Sequence, residues 1–274
     1  MSNGNVKPFL KWAGGKGQLL PELLKKVPGS FLKYYEPFLG GGALFFRLAG
    51  IGQLPEAYLS DVNEQLIDTY LAVRNRVSNV IEELKKHKND KKYYYRTREL
   101  DPKKLKRAER AARIIYLNKT CYNGLYRENS SGKFNVPWGK YKNPCICDEL
   151  VLRADSKALK KVKVERMDYR NSVERAGIGD FVYLDPPYHP MSSTAYFTSY
   201  DRRKFGEEEQ MELADIFDQL SDIGVLVMLS NSDTPLIRKL YKDYRIERVH
   251  VGRAINSRTD GRGKVPELII RNYN

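Results

Sequence analysis

The chain has 274 residues, 41% hydrophobic and 30% charged, enough to bury a full core as one large domain or as one domain with an insertion. Its formal net charge of +14 is an argument about partners rather than fold, and it favours a polyanion, nucleic acid above all. No apolar run approaches the ~20 residues of a membrane span, the start MSNGNVKPFLKWAGG lacks the charged-then-apolar pattern of a secretory signal, and three cysteines (Cys121, Cys145, Cys147) beside three histidines fit a reducing, cytoplasmic setting with no metal site.

Near the N-terminus, KWAGGKGQ at residues 11 to 18 has the look of a phosphate loop and fails as one. Leu10 stands five residues before Gly15, where a glycine is needed, and Lys16 is followed by Gly17 rather than Ser or Thr, so ATP hydrolysis is not expected. A helical pattern over Leu19–Lys26 leads to a strand over Tyr34–Phe38, then Gly40-Gly41-Gly42 and a helix over Ala43–Leu48. Glycines there allow positive φ and close approach of a nucleotide-like cofactor at the carboxyl end of a first strand. Phe45 breaks the full dinucleotide fingerprint, and a tight strand–helix turn explains the cluster equally well. The next strand, Ala57–Ser60, delivers Asp61 about 20 residues past the glycines, where an acid commonly takes two ribose hydroxyls. Capping the helix over Glu64–Asn75 is the other use for that side chain.

From about Ser78 to Asn143 the composition turns Lys- and Tyr-rich and the alternation of strand and helix stops. Between Lys85 and Arg113 lie 13 Lys or Arg against 4 Asp or Glu, which concentrates the positive charge in one region. Arg107–Asn118 reads as a basic amphipathic helix, and residues 126 to 142, YRENSSGKFNVPWGKYK, as a hairpin. The expected organisation is a catalytic domain of residues 1–62 and 148–274 with residues 63–147 inserted into it.

Alternation then resumes. A strand over Val162–Glu165 precedes VERMDY, which holds Asp168, and a strand over Phe181–Leu184 ends on Asp185-Pro186-Pro187-Tyr188. A helix over Glu207–Leu220, a strand over Val225–Leu229 ending in LSNSD, a helix over Leu236–Lys242 and strands over Arg245–Val251 and Glu267–Arg271 complete the chain. LSNSD lines a pocket or caps the next helix. Between the last two strands, GRAINSRTDGRGKVPE holds Arg253, Arg258, Arg262 and Lys264, read as phosphate contacts or as a solvated loop. The pattern predicts an α/β fold with a doubly wound, mostly parallel sheet.

The turn after Asp185 carries the chemistry. Two prolines remove two backbone donors and fix φ, so this turn is stiff. An exocyclic amine on a base is a poor nucleophile because its lone pair is delocalised into the ring. Hydrogen bonds from its two N–H groups to the Asp185 carboxylate and the Pro186 carbonyl would hold it out of conjugation and aimed at an electrophilic methyl. Tyr188 would stack on the base, which must first leave the duplex.

Asp185-Pro186-Pro187-Tyr188 resembles the signature of amino-methyltransferases. Together with Phe38-x-Gly40-x-Gly42 and Lys11-Trp12-x-Gly14-Gly15-Lys16, the chain is similar to the Dam-type DNA adenine N6-methyltransferases, and its motif order resembles their α group. NGLYRENSSGKFNVPWGKYKNP at residues 123 to 144 is the most specific part, and the resemblance covers nearly the whole chain. It implies a Rossmann-like methyltransferase fold with an inserted, mainly helical DNA-recognition domain carrying a β-hairpin. It implies methyl transfer from S-adenosylmethionine to adenine N6 in duplex DNA, at GATC, by base flipping. The matching cofactor positions are Trp12, Ala13, Gly14, Lys16, Glu36, Pro37, Phe38, Gly40, Gly42, Asp61, Asp168 and Asp185. Asp61 takes the ribose hydroxyls, Trp12 and Lys16 close over the amino-acid end, and Asp168 accepts from the cofactor's adenine amine unless it is a plain helix cap. The matching DNA positions are Lys11, Tyr122, Asn123, Leu125, Arg127, Pro137, Lys140 and Tyr141, with Arg258 and Arg262 beside them. Lys140 stands where relatives carry Arg, and a lysine there cannot make the bidentate pair. Lys11 and Arg127 would read guanine, with a phosphate clamp as the other role for Arg127.

Cytosine C5 chemistry would need a nucleophilic cysteine after a core strand, and Pro144-Cys145 lies in the insert instead. Base deamination would need a zinc site. Two other readings stay open: a non-catalytic DNA-binding protein on a methyltransferase fold, and an amino-methyltransferase acting on RNA or a protein amide. A monomer is expected, with a restriction enzyme as a candidate partner.

Overall fold

The computed structural model describes residues 6–12, 16–129, 131–190, 205–252 and 264–274. Seven strands, β1 (Lys33–Glu36), β2 (Glu56–Asp61), β3 (Lys163–Arg166), β4 (Phe181–Leu184), β5 (Leu226–Ser232), β6 (Arg245–Gly252) and β7 (Lys264–Arg271), form one sheet in the order β3-β2-β1-β4-β5-β7-β6. β1 pairs parallel with β2 and β4, and β4 with β5, while β7 runs antiparallel between β5 and β6. The order grows one way from β1 through β2 and the other way through β4. The sheet is therefore doubly wound, with its switch point between β1 and β4, where such sheets hold ligands beyond the strands' carboxyl ends.

Sequence accounts for the centre of the sheet. All four residues of β4 are buried, as a parallel strand covered on both faces requires. The α-helices among the described residues are α1 (Leu20–Leu24), α2 (Ala43–Ile51), α3 (Glu64–Lys85), α4 (Lys91–Glu99), α5 (Arg107–Thr120), α6 (Glu149–Leu159), α7 (Tyr169–Ser172), α8 (Glu207–Asp222) and α9 (Pro235–Leu240). On α8 the buried positions Gln210, Leu213, Ala214, Phe217 and Leu220 follow helical spacing and form one stripe. That stripe packs with Val182 and Leu184 of β4, Val227 and Leu229 of β5, and Leu268 and Ile270 of β7. At its start the Glu209 carboxylate accepts the Gly206 N–H at 2.6 Å, one of the four donors a helix N-terminus leaves unmet.

Packing divides the chain into two units. One comprises Met1–Gly15, Gly40–Leu54 and Asp61–Arg166, the other Lys16–Leu39, Pro55–Ser60 and Met167–Asn274. The first is built on α3 and α5, with Tyr70, Tyr94, Tyr116, Leu66, Val73 and Leu117 buried. The second holds β1, β4 to β7 and the core around α8.

Several elements differ from the expectation. α3 continues ten residues past Asn75, to Lys85. Arg76 leaves helical geometry (φ −142°, ψ 37°), and the helix then resumes because Val80, Ile81 and Leu84 are buried. The sequence pattern predicts neither α4 nor α6. α4, KKYYYRTRE, buries only Tyr94 and Thr97, too few apolar positions to show a periodicity. Among the described residues, pairing along residues 126 to 142 consists of isolated bridges, Glu128↔Phe134 and, beside it, Cys121↔Trp138.

Candidate functional site

β4 ends at the carboxyl edge of the sheet and hands the chain to Asp185. The Asp185 carboxylate meets two partners, Lys16 Nζ at 2.6 Å and the donating hydroxyl of Ser230 on β5 at 3.0 Å. Burial of this carboxyl raises its pKa above the ordinary aspartate value; the Lys16 charge and the Lys16 and Ser230 hydrogen bonds pull the other way without overcoming it. The Lys16 side chain is itself 8% exposed, and its ammonium stands 4.3 Å from the centre of the Tyr188 ring, within cation–π range. The Tyr188 hydroxyl donates to Glu267 on β7 at 2.9 Å, which fixes the tilt of the ring. Pro186 is buried and Pro187 exposed. The Pro187 carbonyl accepts from Gln210 Nε2 at 2.9 Å, while no donor among the described residues meets the Pro186 carbonyl. Asp185, Tyr188 and the Pro186 carbonyl thus share a short, stiff turn.

In the same unit, Glu36 closes β1 as a buried carboxylate that accepts from the Tyr34 hydroxyl at 2.9 Å. Pro37 is buried behind it. Phe38 stacks on Tyr169, with ring centres 5.1 Å apart, and meets Phe205 edge-on. Asp168 caps α7 by accepting the Arg170 N–H at 3.0 Å, and the Arg170 guanidinium reaches both its oxygens at 3.1 Å. Arg170 also forms a short bidentate pair with Glu212. The capping role foreseen for Asp168 is therefore real. Its carboxylate keeps further lone pairs for an outside donor.

In the other unit, Asp61 and the glycine loop are joined directly. Asp61 Oδ2 accepts the Gly40 N–H at 3.0 Å, and Oδ1 accepts the Asn63 N–H at 2.9 Å. Burial raises the Asp61 pKa, and these backbone donors oppose the shift. Asn63, not Asp61, caps α3, its side chain accepting from Leu66 N. Gly40 has φ +46°, and a Cβ there would lie 2.9 Å from the Trp12 indole, so only glycine lets the ring approach the loop. Gly42, at φ +64°, opens α2 in the left-handed region. Trp12 stacks on Tyr126 with centres 4.4 Å apart.

The same unit gathers the polar residues expected at DNA. Asn118, fully buried on α5, accepts the Lys11 N–H at 2.8 Å and donates to the carbonyls of Lys11 and Gly124 at 2.6 and 3.0 Å. It ties the N-terminal segment to the turn that carries Tyr122, Asn123 and Leu125. Gly124, at φ +64°, leaves room for the Lys11 side chain, which a Cβ would strike at 2.6 Å. The Lys11 ammonium reaches over the Tyr141 ring. The Pro137 carbonyl accepts from Tyr122 N and the Thr120 carbonyl from Gly139 N, each at 2.8 Å, so the two segments run side by side. Tyr122 and Arg127 are exposed, and Arg127 Nε donates to Asn135 Oδ1 at 2.7 Å. Asn123 and Lys140 both have φ +56°. Lys11, Tyr122, Asn123, Leu125, Arg127, Pro137, Lys140 and Tyr141 are all carried on this one unit. Ala13, Gly14, Arg258 and Arg262 lie outside the described residues.

Sequence reasoning missed the roles of Asn118, Gly139, Asn135, Gln210 and Glu267. Asn118 and Gln210 sit in no motif; Asn135, Gly139 and Glu267 lie inside quoted stretches, but their roles depend on partners that the stretches alone do not name. The sequence leaves LSNSD between two roles; Ser230 and Asn231 prove to be strand residues whose side chains serve the Asp185 turn.

An acid and a stiff proline turn at the carboxyl edge of a doubly wound sheet, in a chain whose other unit carries a basic, polar surface, define a ligand-binding α/β enzyme with a nucleic-acid substrate as its natural class. The chain matches, over residues 12–255, the family described as D12 class N6 adenine-specific DNA methyltransferase. It is 43% identical to the type II methyltransferase M1.LlaDCHI of Lactococcus lactis subsp. cremoris, over 98% of this chain and 96% of that protein. It is 42% identical to the type II methyltransferase M.MjaIII of Methanocaldococcus jannaschii, over 98% and 99%, and 36% identical to the DNA adenine methylase of Escherichia coli K12, over 96% and 94%. The chain belongs to the D12 class of N6 adenine-specific DNA methyltransferases. It is an enzyme, its substrate is DNA and its methyl donor is S-adenosylmethionine. No helix among the described residues is long and apolar enough to cross a membrane.

Proposed function

We propose that the enzyme methylates adenine N6 at GATC in duplex DNA, with the target base flipped out to the Asp185-Pro186-Pro187-Tyr188 turn. The observation that carries this reading is the pairing of Asp185 with the Pro186 carbonyl, two acceptors at the end of one buried strand. An adenine amine has two N–H groups and needs two such acceptors to leave conjugation with its ring. Asp185 takes one N–H, the Pro186 carbonyl takes the other, and the nitrogen lone pair is held ready. Tyr188, its ring tilt fixed through Glu267, stacks on the base. An ionised Asp185 is required, so the Lys16 ammonium and the Ser230 hydroxyl support the reaction by opposing the effect of burial.

When bound, S-adenosylmethionine supplies an electrophilic methyl group. The residues present fit it. In one unit Asp61 keeps lone pairs beyond the Gly40 and Asn63 N–H bonds, suited to a nucleoside's hydroxyls; in the other, Glu36 is a buried carboxylate suited to a charged amino group. Trp12, Gly42 and Asp61 in one unit, and Lys16, Pro37, Phe38, Asp168 and Asp185 in the other, are assigned to it on the resemblance, as are Ala13 and Gly14. Residues 63–147 are assigned as the DNA-recognition domain, with Lys11 and Arg127 reading guanine and Tyr122, Asn123, Leu125, Pro137, Lys140 and Tyr141 fitting the site. Arg258 and Arg262 are assigned to phosphates. We further propose a monomer in the cytoplasm. The relatives named type II methyltransferases support pairing with a restriction enzyme.

The test is methyl transfer from radiolabelled S-adenosylmethionine to two unmethylated duplexes that differ only at one GATC. Label is expected in N6-methyladenine of the GATC duplex alone. Equal label in both duplexes would reject the target and leave the chemistry.

A further inference from the structure

The stiffness of the Asp185 turn has an incomplete explanation in its prolines. Proline fixes φ but leaves ψ free, and with no N–H at residues 186 and 187 the turn makes no backbone hydrogen bond of its own there. The constraint comes from two buried amides on other elements. Gln210 on α8 is 1% exposed and donates through Nε2 to the Pro187 carbonyl at 2.9 Å. Its Oε1 accepts from Asn231 Nδ2 at 3.0 Å. Asn231 on β5 is fully buried, and its Oδ1 accepts the backbone N–H of His189 at 3.1 Å and that of Ser232 at 2.8 Å. Ser232 Oγ donates back to the His189 carbonyl at 2.5 Å. The turn is held on its far side at Pro187 and His189, and no donor among the described residues meets the Pro186 carbonyl.

Two side-chain amides inside an apolar core are costly unless every group is paired, and a leucine would fill the same volume without that cost. Both stand within the stripe of α8 and the run of β5 that otherwise bury Leu213, Phe217, Val227 and Leu229. We propose that Gln210 and Asn231 are positioning residues of the methyl-transfer reaction: as one coupled pair they set the orientation of the Pro186 carbonyl and of Tyr188 by clamping the turn from behind. The proposal rests on the reading of Asp185 to Tyr188 as the catalytic turn.

The experiment compares Gln210→Met, Asn231→Asp, the double variant and Asp185→Ala, each measured for kcat and for KM with S-adenosylmethionine and with duplex. Gln210→Met keeps the length and removes both hydrogen bonds. Asn231→Asp keeps the acceptor for His189 and removes the donor to Gln210. A slackened turn keeps every group that touches the base but loosens the orientation of the Pro186 carbonyl and of Tyr188, so kcat should fall about 10- to 100-fold while both KM values stay within about twofold. The double variant should be no slower than the slower single one, because the two amides act as a unit. With Asp185→Ala inactive, a Gln210→Met enzyme of parental kcat overturns the proposal alone, as does a double variant whose loss is the product of the two singles. An active Asp185→Ala enzyme overturns the reading of the turn and the proposal with it. Should Gln210→Met not fold, Gln210→Glu retains the volume and the acceptor for Asn231 while removing the donor to Pro187; parental kcat there overturns the proposal.

Discussion

At the scale of single residues, the proposed reaction turns on the charge of one carboxyl group. In that proposal Asp185 acts as the ionised carboxylate, the stronger acceptor of an amine N–H, and burial holds its pKa above the ordinary aspartate value. The acid limb of the kcat profile should therefore lie at higher pH than a free aspartate would give. Activity is present above that raised pKa and lost as the pH falls through it. Ser230 opposes the shift by donating to Asp185 at 3.0 Å, and a hydrogen bond to a charged acceptor in a buried site is worth about 1.5–3 kcal/mol. Ser230→Ala should move the acid limb upward by about one to two pH units, with activity recovered at alkaline pH. A profile that does not move would mean that Asp185 does not control the limb. The turn itself was legible in the sequence, because Asp-Pro-Pro-Tyr is local: an acid, two rings that fix the backbone and an aromatic, adjacent in the chain. Gln210 and Glu267 were not, and Ser230 and Asn231 stood in LSNSD between two roles, because each reaches the turn from another element, and nothing local distinguishes a buried Gln on a helix stripe from an exposed one.

At the scale of elements, the same distinction separates what the periodicities revealed from what they hid. β4 was legible to the residue because four consecutive buried side chains leave a clear run. The doubly wound order followed from alternation and handedness. α4 was hidden because a helix that buries two side chains of nine carries no visible stripe. The surface that carries Lys11 and Tyr122 depends on close backbone approach, and its least obvious requirement is Gly139. A Cβ on residue 139 would sit 2.6 Å from the Cys121 carbonyl oxygen and 2.7 Å from the Tyr141 ring. Because the nearest atom is backbone, it cannot swing away, and the Gly139 N–H bond to Thr120 would have to lengthen. Overpacking of this kind costs about 1–3 kcal/mol. Gly139→Ala should lower thermal stability by that amount and weaken duplex binding, while S-adenosylmethionine affinity, measured by calorimetry, is unchanged. Unchanged duplex affinity would show that the 120–124 and 137–141 segments need not run together for recognition.

At the scale of the whole molecule, the question is how a charge of +14 divides between holding DNA and choosing a site. The basic region between Lys85 and Arg113 is not uniform. Arg113 is buried and donates to the carbonyls of Thr97 and Arg98, and Arg110 pairs with Asp68 at 2.9 Å, so both serve the fold. Lys91, Lys92 and Lys103 are exposed and are suited to phosphates. Arg127 differs from them: its guanidinium is held by Asn135 Oδ1 at 2.7 Å, an orientation that costs rotamer freedom and is useful to a residue that must present a fork to one base. The two kinds of cation should separate experimentally. Replacing Lys91, Lys92 and Lys103 by Gln should weaken GATC and non-GATC duplexes by the same factor and make the salt dependence shallower, by about 0.9 in log–log slope for each phosphate no longer neutralised. Arg127→Ala should barely change binding to a non-GATC duplex but reduce discrimination between the two by about 1–3 kcal/mol, roughly 5- to 150-fold. Binding titrations of both duplexes at several salt concentrations decide the matter. If Arg127→Ala instead weakens both duplexes equally and flattens the slope, Arg127 is a phosphate clamp, and guanine reading falls to Lys11, whose backbone Asn118 holds on both sides.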